Sequence, residues 1–195
     1  ITILTLSPDD SAVNWEHTGP FFSASIRSSF ISEIRQEGLD EISKMLLKKT
    51  WERTETEQRV LAAIAFFANA VLDEVGTIAV VNFCISLECL LKRPDESSTK
   101  SISSGVNRIW PQHNYKPPSA DFAKDMYDLR SRVVHSGGAV PPSFNYTRLA
   151  QLCFRCIVQV AKSTKDIRNS NDLFQAIDEG RLLWHVPTQR TTKRC

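Results

Sequence analysis

The chain has no long uninterrupted apolar run. The most hydrophobic stretches, such as Ile78–Ile85, fall well short of the roughly 20 residues that cross a bilayer. It also has little excess charge. Lys and Arg number 24 against 22 Asp and Glu, a formal net charge of +2, so composition alone gives no broad basic surface and a nucleic-acid partner needs a local patch. Glycine is sparse, at 7 of 195 residues, and no repeat or low-complexity tract is present. The five cysteines are an odd number, and Cys84, Cys89 and Cys153 sit in strongly apolar segments. That usage argues against a disulfide framework and fits reduced, buried thiols in a cytoplasmic protein. Ile1–Leu6 is too short and lacks the basic flank of a secretory signal. The first residue is Ile rather than Met, which fits a piece of a longer protein or removal of a tag.

What is present is helical periodicity in a chain long enough for one sizeable core. Residues 1–23 mix Pro, Asp, Asn and Gly with few apolar positions and are expected to form an irregular arm, or the end of an upstream domain, with a short strand over Ile1–Leu6. From Ala24 a helical domain is expected to residue 188. Phe30, Ile31 and Ile34 make one apolar stripe and Leu39, Ile42, Met45 and Leu46 a second, with Gly38 between them. Thr54 and Glu57 have capping-box spacing and open a helix over Glu55–Leu72. Val75–Lys92 is apolar nearly all round, which predicts a buried central helix stopped by Pro94. Asp95–Thr99 reads as a loop and Ile102–Trp110 as a short helix. Ser119 caps a helix that Gly137 and Gly138 end; Tyr146–Ser163 and Asn171–Leu183 are two more, and 189–195 is a basic polar tail. The expected class is all-α, a bundle of about six or seven helices.

One stretch has the residue types of a chemical site. Arg130 and His135 stand five positions apart near the end of a predicted helix. On a regular helix they start about 140° apart and about 7.5 Å along the axis; the length of arginine and a helix end at Ser136-Gly-Gly that can turn are what would bring them together. A guanidinium binds phosphate through a planar fork, and an imidazole moves protons near neutral pH. That pair suffices to cleave RNA without a metal, because the 2′-hydroxyl is itself the nucleophile. The structural alternative is that both cations only complement the helix dipole.

Three further features bear on the site. Glu88 is a lone carboxylate in the apolar run and must be paired: with Arg130 across the bundle, or with Lys92 one turn on. Cys153 and Cys156 form a C-x2-C, but no second such pair or histidine pair stands at ligand spacing, and helical phase places both in the core, so no metal is expected. Arg132, Arg148, Arg155, Lys116 and Lys124 surround the motif as a possible local basic cleft, with Arg132 set to meet an RNA phosphate. His17, His113 and His185 are scattered without partners at ligand spacing.

The segment Met126–Gly138, with Tyr127, Arg130-Ser131 and Val134-His135-Ser136-Gly137, resembles the HEPN domain family and within it the ApeA-like branch. The earlier apolar helix with its embedded Glu88 resembles the same branch, and the likeness spans roughly residues 55–165. It implies a helical domain that dimerises through the motif face, so that two arginine–histidine pairs line one cleft. It implies Arg130 and His135 as catalytic residues of a metal-independent endoribonuclease, with Glu88, Ser131 and Tyr127 supporting them and no cofactor. Many active members place Asn, Asp or His after the arginine; Ser131 here is usual for the ApeA-like branch. The implied setting is phage defence or a toxin system. The alternative is a HEPN-like module that binds RNA or a partner protein without cutting.

Overall fold

The computed structural model describes residues 2–6, 12–17, 23–27, 39–73, 76–109 and 120–182. The first three segments are strands: β1 (Thr2–Leu6), β2 (Ala12–His17) and β3 (Ser23–Arg27). They form one antiparallel sheet in sequence order. The register sets Trp15 opposite both Leu4 and Ala24, and Val13 opposite both Leu6 and Ile26, so apolar positions line up across the sheet in alternate rows. The strand expected over Ile1–Leu6 is present as β1, two further strands follow it, and Ala24, where the helical domain was expected to begin, lies inside β3. The alternation of Ser23, Ser25 and Arg27 with Ala24 and Ile26 is a period of two, not of a helix. The Phe30, Ile31 and Ile34 stripe, Gly38, the Ser119 cap and the tail from 189 lie outside the described residues.

The helical part is an all-α bundle of seven helices among the described residues: α1 (Leu39–Leu47), α2 (Glu55–Leu72), α3 (Gly76–Leu91), α4 (Ser98–Ile109), α5 (Ala120–Ser136), α6 (Tyr146–Ser163) and α7 (Ser170–Asp178). Helix α3 is the central element and packs on α2, α4, α5 and α6. Its sequence explains this. Val80, Phe83, Leu87, Leu90 and Leu91 are buried, and each large apolar side chain taken from water contributes about 1.5–3 kcal/mol. The buried Ser86 hydroxyl is satisfied by the Ala63 carbonyl of α2 at 2.8 Å. The partners bring matching faces: Val60 and Ala63 from α2, Ile102 and Val106 from α4, Met126 and Leu129 from α5, Leu149, Leu152 and Val160 from α6.

Helix boundaries follow local chemistry. The Thr54–Glu57 capping box is formed, with Oγ1 accepting from Glu57 N–H and Glu57 Oε2 accepting from Thr54 N–H at 2.9 Å. Helix α4 starts earlier than the sequence reading, because the Ser97 hydroxyl caps it by accepting from Lys100 N–H. Helix α7 stops at Asp178 rather than Leu183, because Gly180 adopts φ 70° and Arg181 N–H turns back to the Ala176 carbonyl at 2.9 Å. In α1, Met45 is buried but Leu46 is 61% exposed, so only part of the expected stripe faces the core.

Candidate functional site

Helices α3 and α5 cross next to each other and carry Glu88 and the Tyr127–His135 segment. Met126, Leu129 and Val133 are the buried face of α5 and fix its rotation on the bundle. Arg130 then falls at the edge of the interface. Its Nη2 lies 3.7 Å from Glu88 Oε2, with the two side chains 29% and 21% exposed. That is an ion-pair distance but longer than a hydrogen bond. The Arg130 Nε is buried and has no hydrogen-bond partner among the described residues. The alternative partner of Glu88, Lys92, points its ammonium at the Arg93 and Glu96 carbonyls instead.

Tyr127, one turn before Arg130, is buried and its hydroxyl donates to the Cys84 carbonyl at 3.3 Å. Burial drives its phenol far above the ordinary tyrosine range. Ser131, Arg132, Val134 and His135 are exposed. The end of the helix is set by Gly137, at φ 61°, and by Gly138, whose N–H reaches the Arg132 carbonyl at 3.3 Å. Because α5 stays helical through Ser136, the backbone does not turn at His135 as the sequence reading allowed. Within one chain Arg130 and His135 therefore leave the helix about 140° apart.

The remaining candidates separate. Arg148 stacks over the Phe122 ring, 4.7 Å from its centroid, at the first turn of α5. His135 lies thirteen positions after Phe122, about 20 Å of helix, so Arg148 sits at the far end from the motif. Arg132 and Lys124 are exposed on α5, interspersed with the exposed Asp125 and Asp128. Cys153 and Cys156 are both buried in the core. Burial pushes the Cys156 thiol up to about 12 and Cys153 well above its ordinary value, so both stay protonated. No three His, Cys, Asp or Glu residues among those described cluster as a metal site. His17 ends β2; Lys116, His113 and His185 lie outside the described residues.

A concavity away from the motif has no signal in the sequence. It is an open groove of about 590 Å³ between the α3–α4 connection and α7, lined by Arg93, Glu96, Asn171, Phe174, Gln175 and Asp178 among others. Arg93 holds Asp178 through two hydrogen bonds, at 2.9 and 2.6 Å, and Arg108 reaches the same carboxylate at 3.3 Å. These cations are engaged in joining helices. The pairing spans 85 residues of sequence and no local pattern announces it.

No family model, curated protein or solved structure matches this chain. No described helix is long and apolar enough to cross a membrane.

Proposed function

We propose that the helical domain is a HEPN-like, metal-independent endoribonuclease that acts as a homodimer. The observation that carries this reading is the state of Arg130. Its side chain is 29% exposed and held beside Glu88 without a hydrogen bond, and its buried Nε has no acceptor among the described residues. The exposed part of this side chain is where an anion can meet the guanidinium fork.

In this reading Arg130 binds and neutralises the scissile phosphate. The 2′-hydroxyl attacks the adjacent phosphorus, the bond to the 5′-oxygen breaks, and the products carry a 2′,3′-cyclic phosphate and a 5′-hydroxyl. One proton must leave the 2′-oxygen and one must reach the 5′-oxygen, so the chemistry needs a base and an acid. His135 supplies this function. Glu88 orients the guanidinium, and the exposed Arg132 takes a neighbouring backbone phosphate. The divergence of Arg130 and His135 on one helix is why the reading requires a second copy, whose own pair completes the cleft.

The test is cleavage of single-stranded RNA in EDTA. Wild-type protein is expected to cut, leaving cyclic phosphate ends, and Arg130→Ala and His135→Ala are expected not to. Cleavage that survives both substitutions removes the assignment. A second reading, a module of the same fold that binds RNA or a protein without cutting, is favoured by that same divergence if the chain is a monomer. Tight RNA binding by wild type with no product at any enzyme concentration would select it.

A further inference from the structure

Two successive rungs join α3 to α5. Cys84 and Tyr127 form the first, through the phenol hydrogen bond of 3.3 Å. Glu88 and Arg130, one turn further along their helices, form the second, at 3.7 Å. The rungs differ in kind. The first is neutral, buried and made by a stiff ring with one acceptor. The second is charged, partly exposed and made by a long flexible side chain, and such a pair is too weak to set helix position by itself. In a regular helix the carbonyl of residue 84 also receives the N–H of residue 88. The phenol therefore grips α3 at the very peptide whose other bond sets Glu88.

We infer that Tyr127 is a positioning residue: its hydrogen bond to the Cys84 carbonyl fixes the register of α5 on α3 that holds Arg130 beside Glu88. Tyr127 does not move protons in the reaction, since the desolvated phenol stays protonated. Its effect on RNA rests on the nuclease reading; its effect on Arg130 does not.

The experiment compares wild type, Tyr127→Phe, Arg130→Ala and the double variant. Circular dichroism first confirms that each is folded. The Arg130 Nε–H signal in a side-chain nitrogen-15 spectrum is then recorded, together with the Kd for a labelled single-stranded RNA in EDTA. Tyr127→Phe is expected to shift the Nε–H signal and speed its exchange with water. It is also expected to weaken RNA binding roughly three- to tenfold, the scale of one lost hydrogen bond, and to add nothing in the Arg130→Ala background. An Nε–H signal unchanged in folded Tyr127→Phe overturns the inference. So does an equal loss of affinity in both backgrounds, which would mark a general effect on the fold. If Arg130→Ala binds and cuts like wild type, the nuclease reading fails, and the spectrum still decides the role of Tyr127.

Discussion

Arg130 is an arginine whose surroundings meet only part of its demand. It has a carboxylate within ion-pair range and a buried Nε with no partner among the described residues. Glu88→Gln keeps the shape of the pair and removes its charge. Because both side chains are partly exposed and water screens them, stability is expected to change by less than about 1 kcal/mol in a urea melt. RNA cleavage is expected to fall, and unchanged cleavage would remove Glu88 from the site. Arg132, exposed one turn from the motif's end, is expected to act as a phosphate contact. Arg132→Ala should then lower the slope of log K against log salt by about 0.7 for a single-stranded RNA. The buried thiols set an alkaline limit. Burial pushes Cys84 and Cys156 up to about 12. Their pKa values in the folded state lie above the unfolded ones, so the stability they contribute is complete below about pH 8.5 and is lost as pH rises toward 12. The melting temperature is expected to fall across that window, and to fall less in Cys156→Ala. Residue identity was legible for Glu88, whose burial cost demanded a partner. Which partner it takes was not, because Lys92 and Arg130 satisfy the same charge rule.

At the scale of elements, boundaries written in local chemistry were readable. Glu55–Leu72 and Tyr146–Ser163 begin and end where their caps and periodicity place them. Thr54→Ala removes the acceptor for Glu57 N–H and is expected to cost about 1 kcal/mol of unfolding free energy in denaturant. The misread boundaries also have local causes. Ser97 capped a helix that was read as beginning later, and Gly180 ended one read as continuing. Of the β-meander only the first strand was legible; β2 and β3 are five or six residues long, too short for a period of two to stand out. Helix α7 is held by long-range contacts: Ser170 donates to Glu55 from its N–H, Arg59 donates to the Ser170 hydroxyl, and Arg93 and Arg108 grip Asp178. Hydrogen bonding from Arg93 holds the Asp178 carboxyl below its ordinary range. A depressed carboxylate stabilises the fold above its unfolded pKa and loses that contribution as pH falls through the folded value. Asp178→Asn is therefore expected to speed hydrogen exchange across 170–178 at neutral pH and to make little difference in strong acid.

For the whole molecule, the central α3 sets the arrangement. It is buried against four other helices, and it carries Glu88 to the surface only at its last turn. The proposed cleft is a property of two molecules. Sedimentation at micromolar concentration is expected to show a dimer, and a folded monomer that nevertheless cuts RNA would exclude a shared cleft. By itself the sequence determined the helical class, the buried central helix and the Thr54–Glu57 capping box, because each rests on periodicity or on contacts within a few positions. Only the tertiary structure decided that α5 stays helical past His135, that Arg148 belongs to the far end of that helix, and that Tyr127 and Arg130 reach Cys84 and Glu88. Those outcomes depend on how α5 is rotated and seated on α3, and that seating rests on the buried face of α5 and on contacts between residues distant in sequence, such as the Tyr127–Cys84 hydrogen bond across 43 positions.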